Sequence, residues 1–600
     1  MSTERDALLG ADARSGGYVL AADIEPQAVD VLDAVDETGE TFDDVPKERR
    51  QIGFVSAVFL ITNRIIGTGI FATPSIILRS SGSIGMALVL WLAGATVAFA
   101  GTSVYLELGT ALPRSGGEKV YLEYFFGRPK YLVLCIFATY TVMTGTSSAN
   151  AVVFGEYLLR ALSIEPTPTL TRTIAVGCLT ACTILHSTKI HWGLRIQNIL
   201  GTVGIVLLLF VAFSGILVMI GVIKLDQETI GGAGTSIMMM GGKSAWNKLW
   251  EGTRTDANGI VTGLYSVTWS YIGYSNANYA LSEIRDPIRT MKRAAPTALL
   301  SISLIYFLVN ISYFVVVDKE EILNGGQIVA SLFFRNIYGD KSEKVLSALI
   351  AMVTLGNVLA VTFTTGRIIQ ELGREAVLPF SAFFSSSKPF GTPMTGLLQQ
   401  WLVGSLTIVL PPSGDAYIFI LNLSSYPYSI INTLISSGLL LLHIPPRIKY
   451  LFKSFFRTLF RLRPQSASLE VSPPWTPPFS SPILVTLFFT VSNIFLLVVP
   501  FIPPPKGEKG PYENLPYYLH AVTVLGFAVL GVAYWWSWAR LMPCLGGYSL
   551  DRIWVKGVGD GTSVDVGSGV EGAVSADDGI SRAVFRKIKK EDETSLSISI

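Results

Sequence analysis

Two stretches of this sequence put helix-breaking or polar residues where an unbroken apolar helix is expected. The first, Ile66–Gly67–Thr68–Gly69–Ile70–Phe71–Ala72–Thr73–Pro74, lies inside the apolar run 53–78. Two glycines around a threonine, with a proline soon after, are poor helix material. The second, Trp269–Ser270–Tyr271–Ile272–Gly273–Tyr274–Ser275–Asn276–Ala277–Asn278, is too polar to face lipid and carries Gly273 in its middle. Lipid offers no partner to a freed amide or carbonyl, so an interruption at membrane depth survives only when buried in protein or lining a wet cavity. Glycine and proline also serve plain helix packing. The binding reading gains from the pairing, because the two breaks fall in the first and sixth apolar runs. That is the signature of a five-plus-five inverted repeat with substrate held at the midplane between the breaks.

The elements that must position these breaks are membrane spans. Half of the residues are hydrophobic and 15% are charged, against roughly 25% charged in an ordinary soluble chain. Mean hydropathy is +0.48. The expected fold is an all-α integral membrane protein of about twelve transmembrane helices, each about 20 residues long, with helices 1 and 6 discontinuous. The spans are read at 53–78, 84–112, 130–160, 170–188, 198–223, 260–282, 295–317, 345–372, 393–411, 416–443, 482–502 and 517–541. Three further features mark the pocket wall. The third span is polar (Thr139, Thr141, Thr144, Thr146, Ser147, Ser148, Asn150), Asn357 marks the eighth, and Tyr426–Pro427–Tyr428 is read as a break in the tenth. Each of these is also an ordinary interhelical contact residue.

Lys and Arg crowd alternate short loops: Arg114, Lys119, Arg128 and Lys130; Lys189 and Arg195; Arg285, Arg289, Lys292 and Arg293; Arg374 and Lys388; and the run Arg447 to Arg463. The positive-inside rule then places both termini in the cytoplasm. Residues 1–50 read as a disordered acidic tail without an apolar leader. That tail is either solvated or a docking surface for a regulator of membrane residence, such as a ubiquitin-ligase adaptor. The transport core spans 51–443, a basic and Pro-rich cytoplasmic loop 444–481, helices 11 and 12 lie in 482–541, and a polar tail covers 542–600. The tail's basic run Arg586–Lys590 suits anionic lipid or the protein's own inner face, or is simply solvated. Gly241–Gly242–Lys243–Ser244 is not a phosphate loop, because Ile237 stands where the leading glycine belongs. The net charge of +2 sits in loops and tails and points to no nucleic-acid partner. Four histidines and four cysteines are scattered, with no metal-ligand or nucleophile pattern, so neither an enzyme, a cofactor nor a bound metal is expected. A channel would show a filter repeat or a charged ring.

The stretch Ile66–Pro74 resembles the first-helix motif of the amino acid–polyamine–organocation superfamily, in its L-type amino-acid transporter branch. Glu107–Leu108–Gly109–Thr110 with Pro113, Ser115–Gly116–Gly117–Glu118 and Tyr121–Leu122 resembles that family's junction after helix 2. Ser282–Glu283–Ile284–Arg285–Asp286–Pro287 resembles the end of its helix 6, and Gly366–Arg367, Gly373–Arg374–Glu375 and Leu378–Pro379 its helix 8. The likeness runs in order over about 53–440, and the long loops and tails are similar to those of fungal high-affinity methionine permeases.

The resemblance implies a leucine-transporter-like fold and a secondary transporter importing L-amino acids, methionine or related neutral ones, by alternating access. It implies that the substrate carboxylate meets the amides of Thr68, Gly69 and Ile70, with Gly67 and Gly69 allowing close approach. A helix N-terminus suits an anion for the same physical reason. The ammonium would meet carbonyls of Ile65 or Ile66 and of Trp269, Ser270 and Ile272 beside Gly273. Trp269 would be the outer gate. Arg64, just beneath the first break, is costly within a span and suggests an inner-gate pair with Glu283. Snorkelling or a structural pair is the alternative. No Lys occurs between Lys189 and Lys224, so the family's helix-5 lysine is absent. Thr364 and Thr365 are candidate Na⁺ ligands or packing hydroxyls, and proton symport is preferred by likeness to fungal permeases. Outer loops lacking cysteine argue against a disulfide-linked heavy chain. The alternatives are an amino-acid sensor on a transporter fold and an amino-acid exchanger. A multi-pass protein of the plasma membrane is expected.

Overall fold

The computed structural model describes residues 52–112, 116–223, 248–326, 328–375, 377–387, 390–412, 414–444, 475–504 and 511–555, with the short stretches 570–571 and 582–589. The acidic tail, Pro113, Arg114, Ser115, the Gly241–Ser244 loop, Lys388 and the basic loop from Arg447 lie outside the described residues.

Among the described residues ten helices are long and apolar enough to cross a membrane, from Phe54–Ala72 to Leu519–Gly546. Two shorter segments stand at the other expected positions. The sixth span is Ala257–Ser270 followed, after a turn, by the 3-10 helix Asn276–Glu283, and the ninth is Met394–Val409. The sixth falls short because it is broken. Large apolar side chains such as Leu92, Ile199, Val206, Phe213, Leu300, Leu484 and Val529 stay exposed along the helices. In water such a surface would be a liability; here it is the face turned to lipid.

Local chemistry sets the helix ends. Ser83 and Asp256 accept from the amides of Met86 and Gly259 at helix starts, and Pro168 and Pro287 occupy first-turn positions where no amide hydrogen bond is lost. Several boundaries differ from the sequence reading. The fifth span begins at Ile190 and the seventh at Pro287, so Arg289, Lys292 and Arg293 ride on helix. The third span, expected to be continuous, is two helices, Leu132–Thr144 and Ser148–Ala161, parted at Gly145–Ser147. The tenth, expected to break at Pro427, is one helix from Ala416 to His443. A proline removes one amide and crowds one carbonyl, and neighbouring helices can take up that loss.

The two ends of the bundle are held by different contacts. At one end Lys119 of the short helix Glu118–Phe125 pairs with Glu375, the amide of Arg285 donates to Ile52 O at 2.9 Å, and Lys292 reaches Pro478 O at 2.8 Å. At the other, Arg79 donates to Leu323 O at 2.7 Å, and Asp415 accepts the amides of Glu513 and Asn514, each at 2.7 Å. The membrane part is all-helical. The tail adds a small antiparallel sheet: strand Arg582–Lys589 pairs with Tyr548–Val555 on one side and Val570–Glu571 on the other. The basic run is therefore mostly strand, next to the helix Asp340–Arg374.

Glu107, fully buried, fastens the end of the bundle where the second and tenth spans meet the eleventh. Its carboxylate meets His443 Nε2 at 2.7 Å, Trp475 Nε1 at 2.7 Å and the amide of Ser481 at 2.8 Å. It thereby joins the second span, the end of the tenth and the approach to the eleventh. Glu107→Ala strips a partner from the buried amide of Ser481 and from the part-buried His443 and Trp475, at roughly 1–3 kcal/mol for each donor left unsatisfied. The expected result is a clearly lower thermal unfolding midpoint in detergent, read by tryptophan fluorescence.

Candidate functional site

The first helix stops at Ile65, because Ile66 turns to φ −68°, ψ 102°, and helix resumes at Gly69. Thr73, still near helical geometry, carries the chain into Pro74–Ser81. The sixth helix stops at Ser270, and Gly273 reverses the chain at φ +124°, a conformation that costs residues with a Cβ heavily. A Cβ on Gly273 would stand 2.6 Å from Arg64 Cγ, and one on Gly69 would stand 2.4 Å from Ser270 Oγ. Rising from 64 to 69 along one chain therefore means falling from 273 to 270 along the other. The two breaks cross in opposite directions, as an inverted repeat requires.

The backbone groups freed by the breaks fall into two sets. Among the described residues the amides of Thr68, Gly69 and Ile70 meet no acceptor, and the carbonyls of Ser270 and Ile272 meet no donor. The other expected carbonyls are partly used. Ile65 O accepts from Tyr306 Oη at 3.0 Å, Ile66 O from Asn357 Nδ2 at 3.4 Å, and Trp269 O from the amide of Ile272 at 3.2 Å. Gly67 packs directly on Asn357, so it and Gly69 are also contact points between helices.

A chain of side chains holds the first break open. Thr68 Oγ1 donates to Asn150 Oδ1 at 2.5 Å, and Asn150 Nδ2 to Asn357 Oδ1 at 2.7 Å. The third and eighth spans thus brace the first. Thr73 Oγ1 lies 3.3 Å from Ser270 Oγ, tying the breaks together. Asn150 and Asn357 are therefore structural clamps of the site.

Between the breaks lies a cavity of about 140 Å³, lined by Arg64, Gly67, Thr68, Gly69, Trp269, Ser270 and Ile272. An apolar void of about 150 Å³ takes a benzene, so the space suits a small molecule. Its side wall is largely apolar and aromatic, with Phe137, Tyr140, Val361, Ile368, Pro427, Tyr428 and Ile431, relieved by Thr141, Thr144 and Thr365. Trp269 meets Tyr417 edge to face, with ring centroids 6.4 Å apart. Beyond it Phe71, Tyr157, Tyr313 and Phe333 are fully buried, and Tyr157 Oη donates to Phe71 O at 3.1 Å. That end is closed.

Not every expected residue converges. Thr365 lines the cavity, but Thr364 spends its hydroxyl on Ala360 O of its own helix at 2.9 Å. Glu283 ends the 3-10 segment, and its side chain lies outside the described residues. Arg64 forms no ion pair among the described residues; it lines the cavity near Tyr279 and Tyr428.

One acid with no assigned role in the sequence reading does reach the site. Gly116 and Gly117, at φ +131° and +53°, turn the chain after the second span so that Glu118 is buried in the cavity wall. Ser275 Oγ donates to Glu118 Oε1 at 2.9 Å. Burial pushes this carboxyl above the usual carboxylate range, partly offset by hydrogen bonding from Tyr279, its own amide, Ser275 and Tyr105. The signal was an acid directly after two glycines at a helix start.

Opposed discontinuous helices around a small cavity are the arrangement of inverted-repeat transporters. The chain belongs to the amino acid permease family, whose pattern it matches over residues 52–528; it is an amino-acid transporter and not an enzyme. It is 38% identical to the high-affinity methionine permease of Saccharomyces cerevisiae, over 93% of this chain and 92% of that one. To the low-affinity methionine permease of the same yeast it is 28% identical, over 69% and 74%. To the human b(0,+)-type amino acid transporter 1 it is 25% identical, over 82% and 90%.

Gly69→Ala drives a methyl group to 2.8 Å from the Ser270 backbone, where no rotamer change relieves it. Uptake of radiolabelled amino acid is expected to fall at least tenfold at unchanged surface expression, with Gly53→Ala, whose Cβ would meet nothing within 4 Å, as the silent control.

Proposed function

We propose that this protein imports L-methionine or a closely related neutral amino acid across the plasma membrane, by alternating access coupled to protons, with both termini cytoplasmic. The observation that carries the reading is the opposed pair of backbone sets: free amides at Thr68, Gly69 and Ile70 across from free carbonyls at Ser270 and Ile272. An α-amino acid presents a carboxylate and an ammonium on one carbon, and those two sets match them. Amides at a helix start hold the anion, while carbonyls at a helix stop hold the cation.

Specificity then belongs to the remaining wall. No formal charge faces the side chain of a substrate so held until the inner end, where Arg64 and Glu118 stand. Aromatic edges from Phe137, Tyr140 and Tyr428 suit a polarizable thioether, which gains from sulfur–ring contacts. The high-affinity methionine permease likeness agrees with that chemistry. With the Trp269 end packed shut and the lining residues running toward Arg64 and Glu118, the conformation reads as open inward. Rocking of the first, second, sixth and seventh spans against the scaffold would open the Trp269 side.

The test is an uptake competition panel of the twenty amino acids at pH 5 and pH 7, with and without Na⁺. Methionine is expected to compete best, with uptake higher at pH 5 and indifferent to Na⁺. Preference for a charged amino acid would refute the pocket reading, and Na⁺ dependence would refute the proton. Binding without flux in liposomes would identify a sensor instead.

A further inference from the structure

Glu118 stands in a wall shared by two cavities. One is the substrate cavity. The other, about 50 Å³, lies beside the sixth-span break, with a mostly apolar wall into which Glu118, Ser275, Ser429, Asn432 and Asn493 bring polar groups. Its volume and those polar groups are sufficient to hold water, which needs roughly 10–15 Å³ and two or more polar partners. The Glu118 side chain is 2% exposed, and its second oxygen, Oε2, has no hydrogen-bond partner. A buried carboxylate with one oxygen left unpartnered is costly, and protonating that oxygen removes the charge.

The charged and titratable groups around it come from every neighbouring element. Tyr105 approaches from the second span, Tyr121 from its own helix, Tyr274 and Tyr279 from the sixth-span turn, and Tyr428 from the tenth. Arg64 of the first span lines the same cavity. Lys119, the next residue, is directed away to Glu375. The tyrosines are neutral at working pH, which leaves Arg64 as a formal charge on the wall of the same cavity.

We propose that Glu118 is the proton-carrying residue of this transporter, loaded at Oε2 from the small cavity and discharged into the substrate cavity when that cavity opens to the cytoplasm. In loading, an O–H bond forms on the carboxylate as a hydronium ion becomes water; in discharge the same bond breaks to water. Because Ser275, which donates to Oε1, belongs to the sixth-span turn, the charge on Glu118 bears directly on the element that must move. This assignment rests on the proton-coupled reading above. It extends that reading from a coupling ion to a residue.

The test uses the full chain in liposomes with an entrapped pH dye and L-methionine as solute, scoring methionine-dependent acidification and methionine counterflow separately. The wild type is expected to acidify the lumen as methionine enters. Glu118→Gln is expected to lose acidification more than tenfold while counterflow slows less than tenfold. A wild type that moves methionine without protons refutes proton coupling and this assignment with it. A wild type that acidifies beside a Gln variant that still acidifies refutes only the assignment. So does a folded Gln variant that loses counterflow as fully as proton flux, since that marks a role in cavity shape. If the Gln variant does not fold, Glu118→Asp is expected to carry protons with a shifted pH midpoint, and an unshifted midpoint overturns the proposal.

Discussion

A backbone amide or carbonyl inside a bilayer must find its partner within the protein, and two spans of this chain leave several that do not. The rest of the structure serves that arrangement. Leaving such groups open at membrane depth is costly, so they persist only where surrounding helices enforce the break and a cavity gives them a ligand or water. The enforcement is visible in the residues around them. Asn150 and Asn357 clamp Thr68 and Ile66 from the third and eighth spans, and Tyr306 secures Ile65 O from the seventh. The glycines at 67, 69 and 273 leave no room for a Cβ where the breaks meet their neighbours.

Those close contacts also bear on motion. Gly273 rests on Arg64, and Gly69 on Ser270, so the two breaks move together or lose their packing. The start of the first span and the end of the sixth are further joined where the Arg285 amide meets Ile52 O. At the opposite end, Ser75 donates to Gly326 O and Arg79 to Leu323 O, holding the second half of the first span to the short helix Lys319–Asn324 and the turn after it. The proposed rocking would exchange the second set of contacts for space while keeping the first. Packed interfaces are suited to such exchange because they switch between discrete arrangements.

The acidic residues divide by how completely they are partnered. Glu107 and Asp415 are buried with several donors apiece, and a carboxylate so satisfied is a fastening. Glu118 is as buried, but its Oε2 keeps no partner, and it lies against the turn of the sixth span.

The sequence by itself determined the membrane class, the approximate spans and the two breaks, which follow from local rules: apolar length, helix propensity, and the exclusion of unpaired backbone from lipid. The amides of Thr68, Gly69 and Ile70 are named through the family resemblance. The sequence did not determine the break in the third span or the continuity of the tenth. Thr146–Ser147–Ser148 and Tyr426–Pro427–Tyr428 are both plausible interruptions locally, and only the packing of neighbouring helices decides which backbone yields. Thr364 and Thr365 are adjacent in sequence yet separate in role, because one step along a helix turns a side chain through about 100°. Glu118 was read only as part of a motif. Its place beside Ser275, in the wall of the cavity, depends on a turn of two left-handed glycines and on a contact more than 150 residues away in the chain. Such long-range contacts are created by the tertiary fold, and no local pattern carries them.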